Sequence, residues 1–140
     1  MRCAVLTSAL VAVLALAGCA GGTSNKDSSN DFTGEKQQVA SVIEDLQSAA
    51  EDSDERAICD LLTGELREAV TQASGAATCR AGVEKALKDT DQADLTVKSI
   101  TIDGDEANAV VRAKLSDDNS RDATVKLGKL GAKWRIASLP

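Results

Sequence analysis

At Ala93 the spacing of apolar residues changes, and that change fixes the fold class. Before it, apolar side chains recur at the helical period of about 3.6; after it, at the strand period of about 2. Helical runs gathered ahead of strand runs, without alternation, imply an α+β domain whose helices pack on one face of an antiparallel sheet.

In the helical half, Val39, Val42, Ile43, Leu46, Ala49 and Ala50 form one stripe between Thr33 and Glu51. Thr33 is the expected N-cap, Glu35 suits the positive end of the helix dipole, and Phe32 is placed to pack back on the first turn. Ser53 reads as the next N-cap. A second helix follows from Asp54 to Leu62, with Ala57, Ile58, Leu61 and Leu62 apolar and Cys59 alongside. Thr63-Gly64-Glu65 stops it and caps another turn or two, with Leu66, Ala69 and Val70 inward, and Ser74-Gly75 ends that piece. Thr78 caps a third helix from Cys79 to about Lys88. Gly82 inside it costs about 1 kcal/mol relative to Ala, so close packing against a neighbour is its expected reason.

The strand half starts with the β-branched run Leu95 to Ile102. Asp103-Gly104-Asp105 is a hairpin signal. Ala107, Ala109, Val111, Ala113 and Leu115 then alternate with Asn108, Val110, Arg112 and Lys114, one face apolar and the other largely charged. Ser116 to Ser120 reads as a turn, Arg121 to Leu127 as a third strand, and Gly128 to Gly131 as another turn. Ala132 to Leu139 closes the domain, with Trp134 and Ile136 inward. Sequential hairpins make a four-stranded meander, and three helices precede it.

The N-terminus carries a different message. Met1-Arg2 is basic, and Cys3 to Ala17 is almost wholly apolar. A spanning helix needs about 20 such residues, so this run suits a secretory signal better. It ends in Leu16-Ala17-Gly18-Cys19, which resembles the bacterial lipobox. That resemblance implies cleavage between Gly18 and Cys19 and diacylglycerol on the Cys19 thiol. Residues 1–18 are then a signal peptide, 19–31 a lipidated cysteine with a flexible Gly/Ser/Asn/Asp tether, and 32–140 the domain. The implied location is the extracytoplasmic side of the cell membrane or envelope, with the anchor on Cys19 as the membrane contact and two or three acyl chains giving stable attachment.

Of the four cysteines, Cys3 leaves with the signal and Cys19 takes lipid, which leaves Cys59 and Cys79 to pair in an oxidising compartment. The bond would close a loop of about 20 residues and contribute roughly 3 kcal/mol on the chain-entropy model. No C-x-x-C spacing is present, and histidine is absent, so neither a redox pair nor a metal site is expected. The acidic runs Glu51-Asp52-Ser53-Asp54-Glu55 and Asp89-Thr90-Asp91 lack the order of a calcium loop and read as solvated helix caps.

A net charge of −6 argues against nucleic acid as a partner. With one Phe, one Trp and no Tyr or His, the chain also lacks the usual parts for stacking on a cofactor or for general base chemistry. No cofactor and no catalytic residue are assigned.

Helices first, a meander second and a closing Gly131-Ala-Lys-Trp134-Arg-Ile136 resemble the nuclear transport factor 2-like (NTF2-like, cystatin-like α+β) superfamily, and more closely small actinobacterial lipoproteins of that fold. Ala57-Ile-Cys59-Asp-Leu-Leu62, Thr78-Cys79-Arg80 and the run Ile102 to Ala107 carry the likeness. It implies the same Cys59–Cys79 pairing, and a curved sheet wrapped round the helices to form a conical pocket. Enzymes of that superfamily place Asp, Tyr, His or Arg in the pocket. Here Arg112 and Asp122 sit on neighbouring strands, where a cross-strand surface ion pair is the plainer expectation.

Three functions follow from these features. A non-catalytic lipoprotein domain would bind a protein partner or a small apolar ligand. The alternative, a pocket enzyme of the isomerase, dehydratase or hydrolase type, requires a carboxyl shielded from water and held protonated. A structural module of a membrane complex would show an exposed apolar patch on the outer sheet face.

Overall fold

The computed structural model describes residues 28–89, 94–114 and 119–140. Gly18, Cys19, the signal segment and most of the tether lie outside the described residues, as do Leu115 and most of the connection that follows it.

A short 3-10 turn, Ser29–Asp31, leads into four helices: α1 (Glu35–Glu51), α2 (Glu55–Leu61), α3 (Gly64–Ser74) and α4 (Cys79–Asp89). Four strands follow: β1 (Asp94–Asp103), β2 (Glu106–Lys114), β3 (Ser120–Leu130) and β4 (Lys133–Ser138). They form one antiparallel sheet in the order β1-β2-β3-β4, the meander that the strand spacing predicts. The helix count differs from the expected three. Thr63 Oγ1 accepts the Leu66 N–H at 3.3 Å, and the capped segment runs on for three turns as α3.

α1 is the hub. It lies across the sheet, touching β1, β2 and β4, while α2 packs behind it and α4 packs on α2 and α3. The main core joins Val39, Ala40 and Ile43 of α1 to Val97, Ile100, Ala109, Val111, Val125, Leu127, Trp134 and Ile136, all buried. Aliphatic side chains and one indole therefore fill the space between helix and sheet. A second cluster of Ala49, Ile58, Cys59 and Val83 lies between the helices. There Cys59 and Cys79 form a disulfide, with a Cα–Cα distance of 6.3 Å, which ties α2 to α4.

Helix ends follow the sequence in some places and depart from it in others. Gly75 takes the left-handed conformation (φ 63°) and closes α3, and Thr78 Oγ1 accepts the Ala81 N–H at 3.2 Å at the start of α4. Thr33 does not cap α1. Gly34 does, at φ 63° and ψ −134°, a conformation open to glycine because it lacks Cβ. Nor does Ser53 cap α2. It turns the chain with φ 53°, and Asp54 Oδ1 takes the Ala57 N–H at 2.9 Å. A Cβ on Gly82 would lie 2.7 Å from Ser74 Oγ and 3.2 Å from the Val70 carbonyl, so close approach of α3 explains that glycine.

Two details of the sheet and one of the segment before α1 were not anticipated. β1 carries a bulge between Val97 and Ser99, so Val97 and Ile100 both face inward although three positions apart. β3 continues through Gly128 to Leu130, and the turn shrinks to Gly131-Ala132 with Gly131 at φ 64°. The tether also ends early. Ser28 and Ser29 are buried: Ser28 Oγ accepts the Val97 N–H at 3.2 Å, and the Ser29 N–H donates to Glu44 Oε1 at 2.6 Å. Residues 28–31 thus belong to the folded domain.

Candidate functional site

The sites expected from sequence fall in three places. Gly18 and Cys19 lie outside the described residues. Cys59 and Cys79 are brought together as the disulfide. Arg112 and Asp122 face each other across β2 and β3, where the guanidinium donates to both carboxylate oxygens at 2.7 and 3.0 Å. Both side chains are about half exposed (47 and 50 %), so this is a surface pair and not a pocket dyad. The guanidinium hydrogen bonds hold the Asp122 carboxyl below its ordinary range. The Lys88 ammonium does the same to Glu84 one helical turn away on α4.

Of the acidic runs, Asp54 acts as a helix cap and Asp52 occupies the C-cap of α1. Among the described residues no group of three or more carboxylates or cysteines is arranged to hold a metal ion. No helix among them is long and apolar enough to cross a membrane.

Among the described residues a groove of about 440 Å³ lies between α1 and β4. Gln38, Ser41, Val42 and Asp45 form the α1 wall, being neighbours at helical spacing. Lys133, Trp134 and Arg135 line it from β4, and Leu61 lines it from the last residue of α2. Asp45 and Leu61 also line a second depression between α1 and α2, with Asp52, Asp54 and Asp60, so the two run together along one side of α1.

Trp134 anchors the first groove. It is only 3 % exposed, and its indole Nε1 is buried with no hydrogen-bond partner among the described residues. Buried donors are nearly always paired, so an orphan is notable. Arg67 Nε on α3 is another such orphan. Lys129 on β3, directly opposite Trp134 on β4, places its ammonium 5.6 Å from the ring centroid and pairs with Glu35 in the first turn of α1. At that distance the ammonium and the ring attract as a cation–π pair.

The sheet edge at this groove is open. A two-residue loop makes Leu130 and Lys133 the hydrogen-bonded pair next to the turn, so the peptide groups of Trp134 and Ile136 point away from β3. The Ile136 carbonyl accepts the Thr63 N–H at 2.8 Å, and Leu62 bridges the same rung. At Trp134 no such partner is present among the described residues.

Sequence reasoning placed Trp134 inward but did not find the groove. Its walls come from residues nearly a hundred positions apart. A single Trp in a chain nearly free of aromatics was the one signal that this spot differs from the rest of the core.

No family model matches this chain, and no curated protein resembles it in sequence. Among solved structures, one similar chain is a Campylobacter jejuni protein described as NTF2-like and provisionally as a transpeptidase. It shares 18% identity at a TM-score of 0.46, over 76% of this chain and 100% of its own. Another, named Rd1NTF2_05 with five substitutions, shares 16% identity at a TM-score of 0.49, over 74% of this chain and 95% of its own. Overlaps this loose carry no argument about the chemistry of the present chain.

Proposed function

We propose that this chain is an envelope lipoprotein, anchored through diacylglycerol on Cys19, whose NTF2-like domain binds a partner and does not catalyse a reaction. The observation that carries it is Leu16-Ala17-Gly18-Cys19 at the end of a basic-apolar segment. A thiol is needed there because it is the atom that takes the lipid, and the small residues before it give a peptidase room. The Cys59–Cys79 disulfide supports an oxidising compartment. Helices ahead of a four-stranded antiparallel meander support the NTF2-like assignment.

The preference for binding over catalysis has two supports. The interior between α1 and the sheet is packed with aliphatic side chains and Trp134. The carboxyls whose pKa is displaced, Glu84 and Asp122, are displaced downward by cations on the surface, opposite to the raised value a general acid needs.

Detergent phase separation of cells expressing the full chain tests the anchor. The wild type is expected in the detergent phase, and Cys19→Ser in the aqueous phase or retained as unprocessed precursor. A wild type found wholly in the aqueous phase overturns the proposal.

A further inference from the structure

We infer that α3 and α4 form a hatch held shut by the Cys59–Cys79 bond, and that a dithiol reductant opens it while α1 and the sheet stay folded.

The packing supplies the first reason. Every buried residue of the main core comes from α1, from Leu62 or from the four strands. α3 buries no residue, and α4 buries only Gly82 and Val83. Leu66, Val70 and Cys79 touch the main core as partly buried neighbours. Val83 belongs to the smaller cluster, with Ala49, Ile58 and Cys59. The core between α1 and the sheet can therefore persist when the two helices leave, because none of its buried side chains leaves with them. Segments with few buried apolar contacts are the ones that open locally.

The joints supply the second. α3 and α4 approach so closely that a Cβ on Gly82 would meet Ser74 and Val70, and Lys85 Nζ donates to the Ser74 carbonyl at 3.1 Å. The pair thus moves as one unit. Its base is the junction of α2 and α3, where the Thr63 N–H donates to the Ile136 carbonyl at 2.8 Å. A Cβ on the next residue, Gly64, would meet nothing within 4 Å, so the chain has room to swing there. The other attachment is the bond from Cys79, the first residue of α4, to Cys59 within α2. With that bond intact, α4 cannot part from α2. With it broken, the small apolar cluster around Val83 is left to hold the junction.

Cys79 is half-buried and Cys59 only 6 % exposed, so a reductant thiolate attacks Sγ of Cys79. The S–S bond breaks, Cys59 leaves as a thiolate, and a mixed disulfide forms on Cys79. The second thiol of the reductant then closes its own disulfide and expels Cys79 as a thiolate. Both thiolates take up protons, so two electrons and two protons pass to the protein. Opening bares Ile58 and Val83, which the closed form hides.

The experiment treats the folded full chain, in detergent micelles, with dithiothreitol and follows amide hydrogen exchange by mass spectrometry. Reduction should speed exchange in α3 and α4 by at least about tenfold more than in β2 and β3, as expected of a unit that opens on its own. Iodoacetamide should then alkylate Cys59 while Trp134, the single tryptophan, keeps its native emission. Cys59→Ser with Cys79→Ser should show the open pattern without dithiothreitol and not respond to it. Equal acceleration of the helices and the strands overturns the inference, because the bond then stabilises the whole fold alike. So does a Cys59 that resists iodoacetamide after reduction, or loss of native Trp134 emission in step with its alkylation. A double variant that exchanges like the oxidised wild type overturns it too. Where that variant fails to fold, the reduced wild type decides alone.

Discussion

Ser28 Oγ accepts the main-chain N–H of Val97 at 3.2 Å, across 69 residues of sequence. One hydroxyl at the end of the tether thereby occupies a donor on the free edge of β1. Gln47 Oε1 takes the Leu95 N–H at 2.9 Å on the same edge, so the edge strand is covered by side chains from two directions. Edges left bare invite pairing with other chains, and both contacts oppose that.

Ser28→Ala should leave the buried Val97 N–H without an acceptor and cost about 1–3 kcal/mol. Urea unfolding followed by Trp134 fluorescence measures it as a lower midpoint with an unchanged slope. A midpoint equal to wild type would mean that residues 28–31 are mere tether.

Breaking the disulfide removes the link between α2 and α4. Cys59→Ser with Cys79→Ser should cost about 3 kcal/mol on the chain-entropy model. A reducing agent should shift the urea midpoint of the wild type toward that of the double variant and leave the double variant where it is. If the reducing agent moves both proteins alike, the bond is not the cause.

Gly82→Ala gains about 1 kcal/mol in helix propensity, yet its new Cβ would meet Ser74 Oγ, the Val70 side chain and the Val70 carbonyl. Overpacking of this kind costs about 1–3 kcal/mol, so net destabilisation is expected. Ser74→Ala in the same chain removes the nearest of those atoms and should recover part of the loss. Strictly additive effects of the two substitutions would contradict a shared contact.

The Arg112–Asp122 pair predicts a pH effect with a definite sign. Its hydrogen bonds lower the Asp122 pKa in the folded state, so the pair stabilises the fold above the unfolded-state pKa. That stability is lost as pH falls through the depressed folded value. Carbon-detected NMR titration should show the Asp122 carboxyl titrating below ordinary aspartates, and returning to their range in Arg112→Gln. Added salt should shrink the difference, because the pair is exposed. An Asp122 titration unaltered by Arg112→Gln would break the assignment.

Features that depend on local spacing were legible in the sequence. The α1 stripe lies where Val39, Ile43 and Ala49 placed it, with Val42 and Leu46 at its margins. Gly75 and Thr78 mark real helix ends, and Gly104 with φ 59° makes the first hairpin turn. Alternation in Ala107, Ala109 and Val111 gave the inner face of β2. Features that depend on distant partners were not legible. Ser28 looks like linker until Val97 is beside it. The β1 bulge breaks strict alternation at Lys98, and local propensity contains nothing that announces it. Glycine at 128 reads as a turn, but Arg135 opposite it on β4 and Glu106 on β2 keep it in the ladder. The groove was invisible for the same reason: Asp45 and Arg135 become neighbours only when α1 lies against β4.

The mature N-terminus is where anchoring through Cys19 is tested most directly. Mass spectrometry of the protein purified from membranes should find an N-terminal peptide beginning at Cys19, with Gly18 and all before it removed and the mass of diacylglycerol on the thiol. A chain that still begins at Met1, or one that begins elsewhere with Cys19 unmodified, would contradict the account.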